Sequence, residues 1–156
     1  MIIRSGPSGA RLTKREVISN TKGNIRRAFR SENSTNLPFQ EIYYSEVNPY
    51  TLKGWKSHTL QTQNLSVAFG EILIICILKN EIEIVYEEFE IDSAENHAVL
   101  SIPPNVFYAL VNKSSKISIL LNATDIVHDV NEGRTLPINH SEFASIVEKF
   151  EFSNEI

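Results

Sequence analysis

A chain of 156 residues, 42% apolar and 22% charged, has the length and composition of one globular domain with its own core and excludes a disordered or fibrous protein. Its single cysteine excludes an intrachain disulfide, and its longest apolar run, Ile72 to Leu78, is far short of the roughly 20 residues a membrane helix needs. The net charge of −4 is uneven: residues 1–30 carry eight Lys/Arg against Glu16 alone, so +7, which leaves −11 for the remainder.

Such a basic arm can meet phosphates or nucleic acid. It has no aromatic stacking platform and the remainder is acidic, which argues against a nucleic-acid partner. The start, Met1-Ile2-Ile3-Arg4, lacks the apolar core of a signal peptide, so the expected location is the cytoplasm, with no membrane partner.

Residues 8–36 are polar, rich in Ser, Asn and Arg, and weakly patterned, which predicts a loop with one strand near Gly23–Phe29. Short segments separated by turn residues then predict strands at 40–47, 51–58, 63–69, 71–78, 81–91, 97–102, 106–111 and 116–123. That succession belongs to a sandwich or barrel, not to alternating βαβ units. The run Ile72 to Leu78 does not alternate, so both its faces should be buried, with Cys76 as a small core residue. A hairpin is expected at Lys79-Asn80, and Glu81-Ile82-Glu83-Ile84 reads as its returning strand with one wet face. Phe143, Ile146, Val147 and Phe150 follow Pro137 at helical spacing and predict an amphipathic helix over 139–151 packed on the barrel. One all-β domain over residues 1–156 is therefore expected: an arm at 1–36, a barrel at 40–125 and a C-terminal helix.

Residues two apart on a strand share a face, so Lys56 and His58 should project together into the barrel. A lysine becomes a base when burial or a second cation destabilises its ammonium form. Tyr108 would stand across the barrel from His58, where a phenol can donate a proton or hold a ligand. His128 and Asp129 precede the turn Asn131-Glu132-Gly133 and read as a hydrogen-bonded loop element, and His97 and His140 carry less functional signal still.

Two stretches share the spacing of the paired cupin motifs, and the chain resembles a cupin double-stranded β-helix, or jelly-roll barrel. Where the first motif has Gly, His, His, Glu and Gly, this chain has Tyr50, Lys56, His58, Gln63 and Gly70. Where the second has Gly, Pro, Gly, His and Asn, it has His97, Pro103, Asn105, Tyr108 and Asn112. Of the four metal-ligand places only His58 keeps its type, and lysine, glutamine and tyrosine are poor substitutes, so no metal is expected.

A closer resemblance is carried by Leu52-Lys53-Gly54-Trp55-Lys56-Ser57-His58, Thr62-Gln63-Asn64-Leu65, Gly70-Glu71-Ile72, Ile102-Pro103-Pro104-Asn105-Val106-Phe107-Tyr108, Leu120-Leu121-Asn122 and His128 to Glu132. In order and interval these are similar to segments of the dTDP-4-dehydrorhamnose 3,5-epimerase family, over about residues 40–138. The resemblance implies a cofactor-free isomerase, in the cytoplasm and homodimeric, acting on a nucleotide-activated 4-keto-6-deoxy sugar of surface-polysaccharide synthesis. A dTDP-sugar is the implied partner.

The family's histidine base falls at Lys56, and its motif histidine at Tyr108. Its tyrosine acid falls at Leu121 or Asn122, and the later Asp that steadies the histidine has no evident counterpart. The implied catalytic residues are Lys56, His58 and Tyr108, and the implied substrate-binding residues are Lys53, Gln63 and Asn122, with Lys53 or an arm arginine on the diphosphate. The alternatives are a non-catalytic nucleotide-sugar or carbohydrate-binding cupin and a 3,4-ketoisomerase of the same fold, with a metal-dependent oxygenase last.

Overall fold

A computed structural model describes residues 2–29 and 39–150. Its strands are β1 Ile2–Ser5, β2 Arg11–Lys14, β3 Val17–Asn20, β4 Gly23–Arg26, β5 Glu41–Val47, β6 Thr51–His58 and β7 Gln63–Phe69. They continue as β8 Glu71–Lys79, β9 Ile84–Asp92, β10 Ala98–Ile102, β11 Phe107–Asn112, β12 Ser118–Thr124 and β13 Gly133–Thr135. A six-stranded sheet in the order β1-β2-β10-β7-β12-β5 faces a five-stranded sheet in the order β13-β6-β11-β8-β9, and β3 with β4 forms a separate ribbon. This is the jelly-roll architecture expected from the sequence.

The lack of alternation in β8 has a direct cause. Ile72, Ile74 and Cys76 point into the core between the sheets, with Leu65, Val67, Leu100, Leu120 and Phe89. Leu73, Ile75 and Ile77 point the other way, into a second core with Trp55, Ala109, Val111, Phe143 and Ile146. This second core is closed by short helical turns, Ser141–Phe143, α1 Ala144–Val147 and Glu148–Phe150. Phe143 is fully buried, edge-on to Trp55 with 5.0 Å between ring centroids. The predicted 139–151 helix is thus a chain of single turns beginning at Ser141, and its last residue lies outside the described ones. The apolar spacing recorded which side chains pack, not how long one helix runs.

Two other predictions need correction. The alternation of Glu81-Ile82-Glu83 does not mark a strand, because Asn80 Oδ1 accepts from the Ile82 and Glu83 N–H groups, both at 2.8 Å, and folds them into the turn. Ile82 is 94% exposed there. The N-terminal segment holds more strand than predicted: β2 pairs antiparallel with β10, from Lys14 opposite Ala98 to Arg11 opposite Ser101. Within β2 Leu12 packs against the core and its neighbours are polar, so the apolar pattern is nearly silent. The predicted strand at Gly23–Phe29 is present as β4, and residues 30–36 of the predicted loop lie outside the described ones.

Glycine is demanded at two places that shape the barrel. Gly54 lies so close to β11 that an added Cβ would come within 2.7 Å of Ala109 Cβ and 2.8 Å of its Cα. Gly70 links β7 to β8 at φ +79°, and a Cβ there would also meet Ser118.

Candidate active site

The site is built on an irregularity in β6. Lys56 is the direct partner of Tyr108, but Lys53 is the partner of Leu110, so three steps along β6 match two along β11. A bulge of this kind lets residues three apart face the same way. Lys53 and Lys56 therefore both turn toward the interval between the sheets, while Trp55 between them enters the second core.

Lys53, Lys56, Tyr108 and Leu110 form one wall of a narrow pocket, and Tyr43 and Asn122 stand on the other, from the six-stranded sheet. Its cavity volume is ≈ 30 Å³, room for about two waters. A ligand larger than that would therefore enter edge-on at the mouth, between the two walls, where both lysines are exposed. Lys53 Nζ donates to Ser45 Oγ at 2.9 Å and to the Glu46 carbonyl at 3.0 Å. Burial and the neighbouring Lys56 charge pull its pKa down, against the opposing charge of Glu46. Lys56 Nζ makes no hydrogen bond or ion pair with the described residues.

Tyr108 is buried beside Lys56, and burial pushes its phenol well above the usual range. His58 stacks on Tyr108, ring centroids 6.4 Å apart, and does not itself line the pocket. Its Nδ1 lies 2.6 Å from Glu132 Oε2, leaving Nε2 for another partner. Glu132 Oε1 accepts from the Leu60 N–H at 2.6 Å and the Gln61 N–H at 2.9 Å. Burial alone would raise the Glu132 pKa, but these donors and His58 outweigh it and hold the carboxyl at about 2.

Gln63 is buried beneath the pocket, not in its lining. Gln61 Nε2 donates to the Ile126 carbonyl at 2.5 Å, Gln63 Nε2 donates to Gln61 Oε1, and Asn122 Nδ2 donates to Gln63 Oε1 and, at 2.6 Å, to Tyr43 Oη. This chain of amides fixes Asn122, which is 2% exposed, and leaves its Oδ1 buried without a partner among the described residues.

Of the sequence-predicted residues, Lys53, Lys56, Tyr108 and Asn122 meet at one pocket, with His58 and Gln63 directly behind it. Glu132 and Tyr43 were not predicted. Glu132 pairs with His58 and not with position 56. His128 and Asp129 remain loop elements: the His128 N–H donates to Glu41, and Asp129 caps Asn131. His97 and His140 also lie outside the pocket, His97 at 3.0 Å from the Arg27 carbonyl and His140 against Phe143. Among the described residues no group of three His, Cys, Asp or Glu is placed to hold a metal. A roomier groove, ≈ 150 Å³, is lined by Glu71, Glu90 and Asp92, whose charges would repel a diphosphate.

No protein-family model matches the sequence, and no curated protein does. Among solved structures, the dTDP sugar isomerase of Desulfovibrio desulfuricans is 30% identical, with a TM-score of 0.78 over 83% of this chain and 84% of that one. The chain belongs to the dTDP-4-dehydrorhamnose 3,5-epimerase-like family of sugar-nucleotide isomerases. The same fold is found in more distant structures. The dTDP-4-dehydrorhamnose 3,5-epimerase of Bacillus anthracis, with TDP and PPi bound, is 14% identical at a TM-score of 0.80, covering 92% and 87% of the two chains. A 3,4-ketoisomerase of Thermoanaerobacterium thermosaccharolyticum, in complex with TDP, is 19% identical at a TM-score of 0.66, covering 80% and 86%.

Proposed function

We propose that this protein is a metal-independent epimerase or isomerase of a dTDP-linked 4-keto-6-deoxy sugar, working from one cupin domain. The observation that carries this reading is the pairing of Lys56 with Tyr108 on one wall of a pocket whose other wall presents Asn122, in a chain 30% identical to a dTDP sugar isomerase. A ketone acidifies the C–H bonds beside it, so one base and one acid suffice for epimerisation. Lys56 is the base. The Tyr108 hydroxyl, beside it on the same wall, stabilises the oxygen of the enolate that forms.

His58 and Glu132 support Tyr108 from behind. Asn122 Oδ1, a buried acceptor, takes a sugar hydroxyl, and Gln63 holds Asn122 in place. Lys53 meets the diphosphate, where a cation opposite phosphate is a strong pairing. The arm arginines are less suited, since Arg15 and Arg26 border a separate hollow beside Ala94 and Glu95.

The finer setting is a homodimeric cytoplasmic enzyme of surface-polysaccharide synthesis. A second copy is supported by the outer face of β5, where Ile42 and Tyr44 are 53% and 70% exposed and pair with Ala123 and Leu121.

The test is incubation with a dTDP-linked 4-keto-6-deoxyglucose and analysis of the sugar by NMR. Inversion at C3 or C5 is the expected result. A ketone moved to C3 would make the protein a 3,4-ketoisomerase instead, and unchanged sugar that binds would make it a non-catalytic binder.

A further inference from the structure

Inversion at a carbon requires that the proton leave from one face and return on the other. A sugar ring lying between the two sheets turns one face to β6 and β11 and the other to β5 and β12. Lys56 and Tyr108 are direct partners across neighbouring strands of the five-stranded sheet, so both address the same face. Tyr108 can polarise the ketone from there, but it cannot deliver a proton to the face opposite Lys56.

The described residues that the six-stranded sheet brings to this pocket include two leucines, Ser45, Asn122 and Tyr43. Leucine has no labile proton, and an amide or an alkanol is a far weaker acid than a phenol, with its ordinary pKa of about 10. Ser45 Oγ already accepts the Lys53 ammonium. Tyr43 is the direct partner of Asn122 across β5 and β12, and its Oη accepts the Asn122 Nδ2–H at 2.6 Å while lying 3.4 Å from Gln63 Oε1.

We infer that Tyr43 is the proton donor on the wall facing Lys56, with Asn122 as its positioning residue. The inference rests on the sugar-epimerase reading above and adds to it a residue from a different strand. Lys56 Nζ takes the proton beside the ketone on its lone pair, the C–H electron pair becomes the enolate double bond, and the carbonyl pair moves onto oxygen. The carbonyl then re-forms as the carbon takes the Tyr43 Oη proton on its other face. One C–H bond is broken and one is made, nothing is oxidised or reduced, and water takes a proton from Lys56 and returns one to the phenolate. Burial raises the Tyr43 pKa and the Asn122 hydrogen bond opposes that rise, so Asn122 favours the phenolate that the step leaves behind.

The test uses the full chain and a dTDP-linked 4-keto-6-deoxyglucose in heavy water, with two readings by NMR: deuterium entering the recovered starting sugar, and epimer formed. In Tyr43→Phe, Lys56 can still remove a proton and return a deuteron on its own face. The ratio of epimer to exchange should therefore fall about 100-fold, within the range general acid catalysis supplies. TDP binding by calorimetry reports that the variant is folded. Asn122→Ser, which leaves the phenol without its donor, should lower the same ratio about tenfold. A fall of less than tenfold in Tyr43→Phe, or loss of exchange and epimer in equal proportion, overturns the assignment while leaving the wild-type activity standing. A wild type that neither exchanges nor epimerises overturns the underlying reading, and this assignment with it.

Discussion

His58 and Glu132, 74 residues apart in the chain, meet at 2.6 Å behind the Lys56 pocket because β13 pairs with the end of β6, Gly133 opposite His58. The same carboxylate gathers the N–H groups of Leu60 and Gln61, so one side chain ties the turn after β6 to the loop before β13.

This contact has a pH signature. A carboxyl held at about 2 in the folded chain lies below its unfolded value of about 4.3. Its stabilisation is therefore present in full above the unfolded pKa and is lost as pH falls through the folded one. Glu132→Gln should be less stable than wild type by roughly 1–2 kcal/mol at pH 7, and the two should converge toward pH 2. Urea midpoints at pH 7 and pH 3 measure the gap, and a constant gap would remove Glu132 from the acid response.

The bulge in β6 depends on Gly54, whose Cα faces Ala109 without room for a methyl group. Gly54→Ala should cost about 1–3 kcal/mol by overpacking, read as a lower thermal midpoint. It should also weaken TDP binding, because it displaces Lys53 and Lys56 together. Unchanged stability would mean that the strands can separate freely here.

Phe143 closes the second core between Trp55 and Phe107, with ring centroids 5.0 and 5.6 Å away. Phe143→Ala should cost roughly 3–5 kcal/mol, the range for a buried aromatic truncated to alanine. Ile82→Ala, in the exposed turn, should stay within about 0.5 kcal/mol of wild type. Similar denaturation midpoints for the two variants would show that the C-terminal turns cover nothing essential.

Lys53→Ala should weaken TDP binding about tenfold by removing one charge-assisted contact, and the loss should shrink at high salt. Calorimetry at low and high ionic strength checks it. An unchanged affinity would move the phosphate contact elsewhere.

The sequence revealed most where one residue's neighbours on its own strand decide its fate. The unbroken run at Ile72 to Leu78 marked a strand between two cores, and Phe143, Ile146 and Phe150 marked the cover of the outer one. Lys56 and Tyr108 were legible as lining one pocket because their motif spacing survives in both strands. Glu132 was not, because its partner is fixed by the pairing of β13 with β6, which no local spacing records. Tyr43 sits in an ordinary strand pattern and gains its meaning only from its register with Asn122. The alternation at Glu81 to Glu83 misled because charge and apolar residues can alternate in a turn as well, and Asn80 was the signal that the chain reverses.

In the proposed reaction Lys56 removes a proton from a carbon beside the sugar ketone. Deuterium uptake at C3 and C5 of a dTDP-linked 4-keto-6-deoxyglucose in heavy water, measured for wild type and Lys56→Ala side by side, tests it most directly. Wild type should exchange, and the variant should lose at least about 100-fold of that exchange with TDP affinity kept within about threefold. Exchange that survives in Lys56→Ala, or a wild type that binds the nucleotide sugar without exchanging it, would mean that Lys56 is not the base.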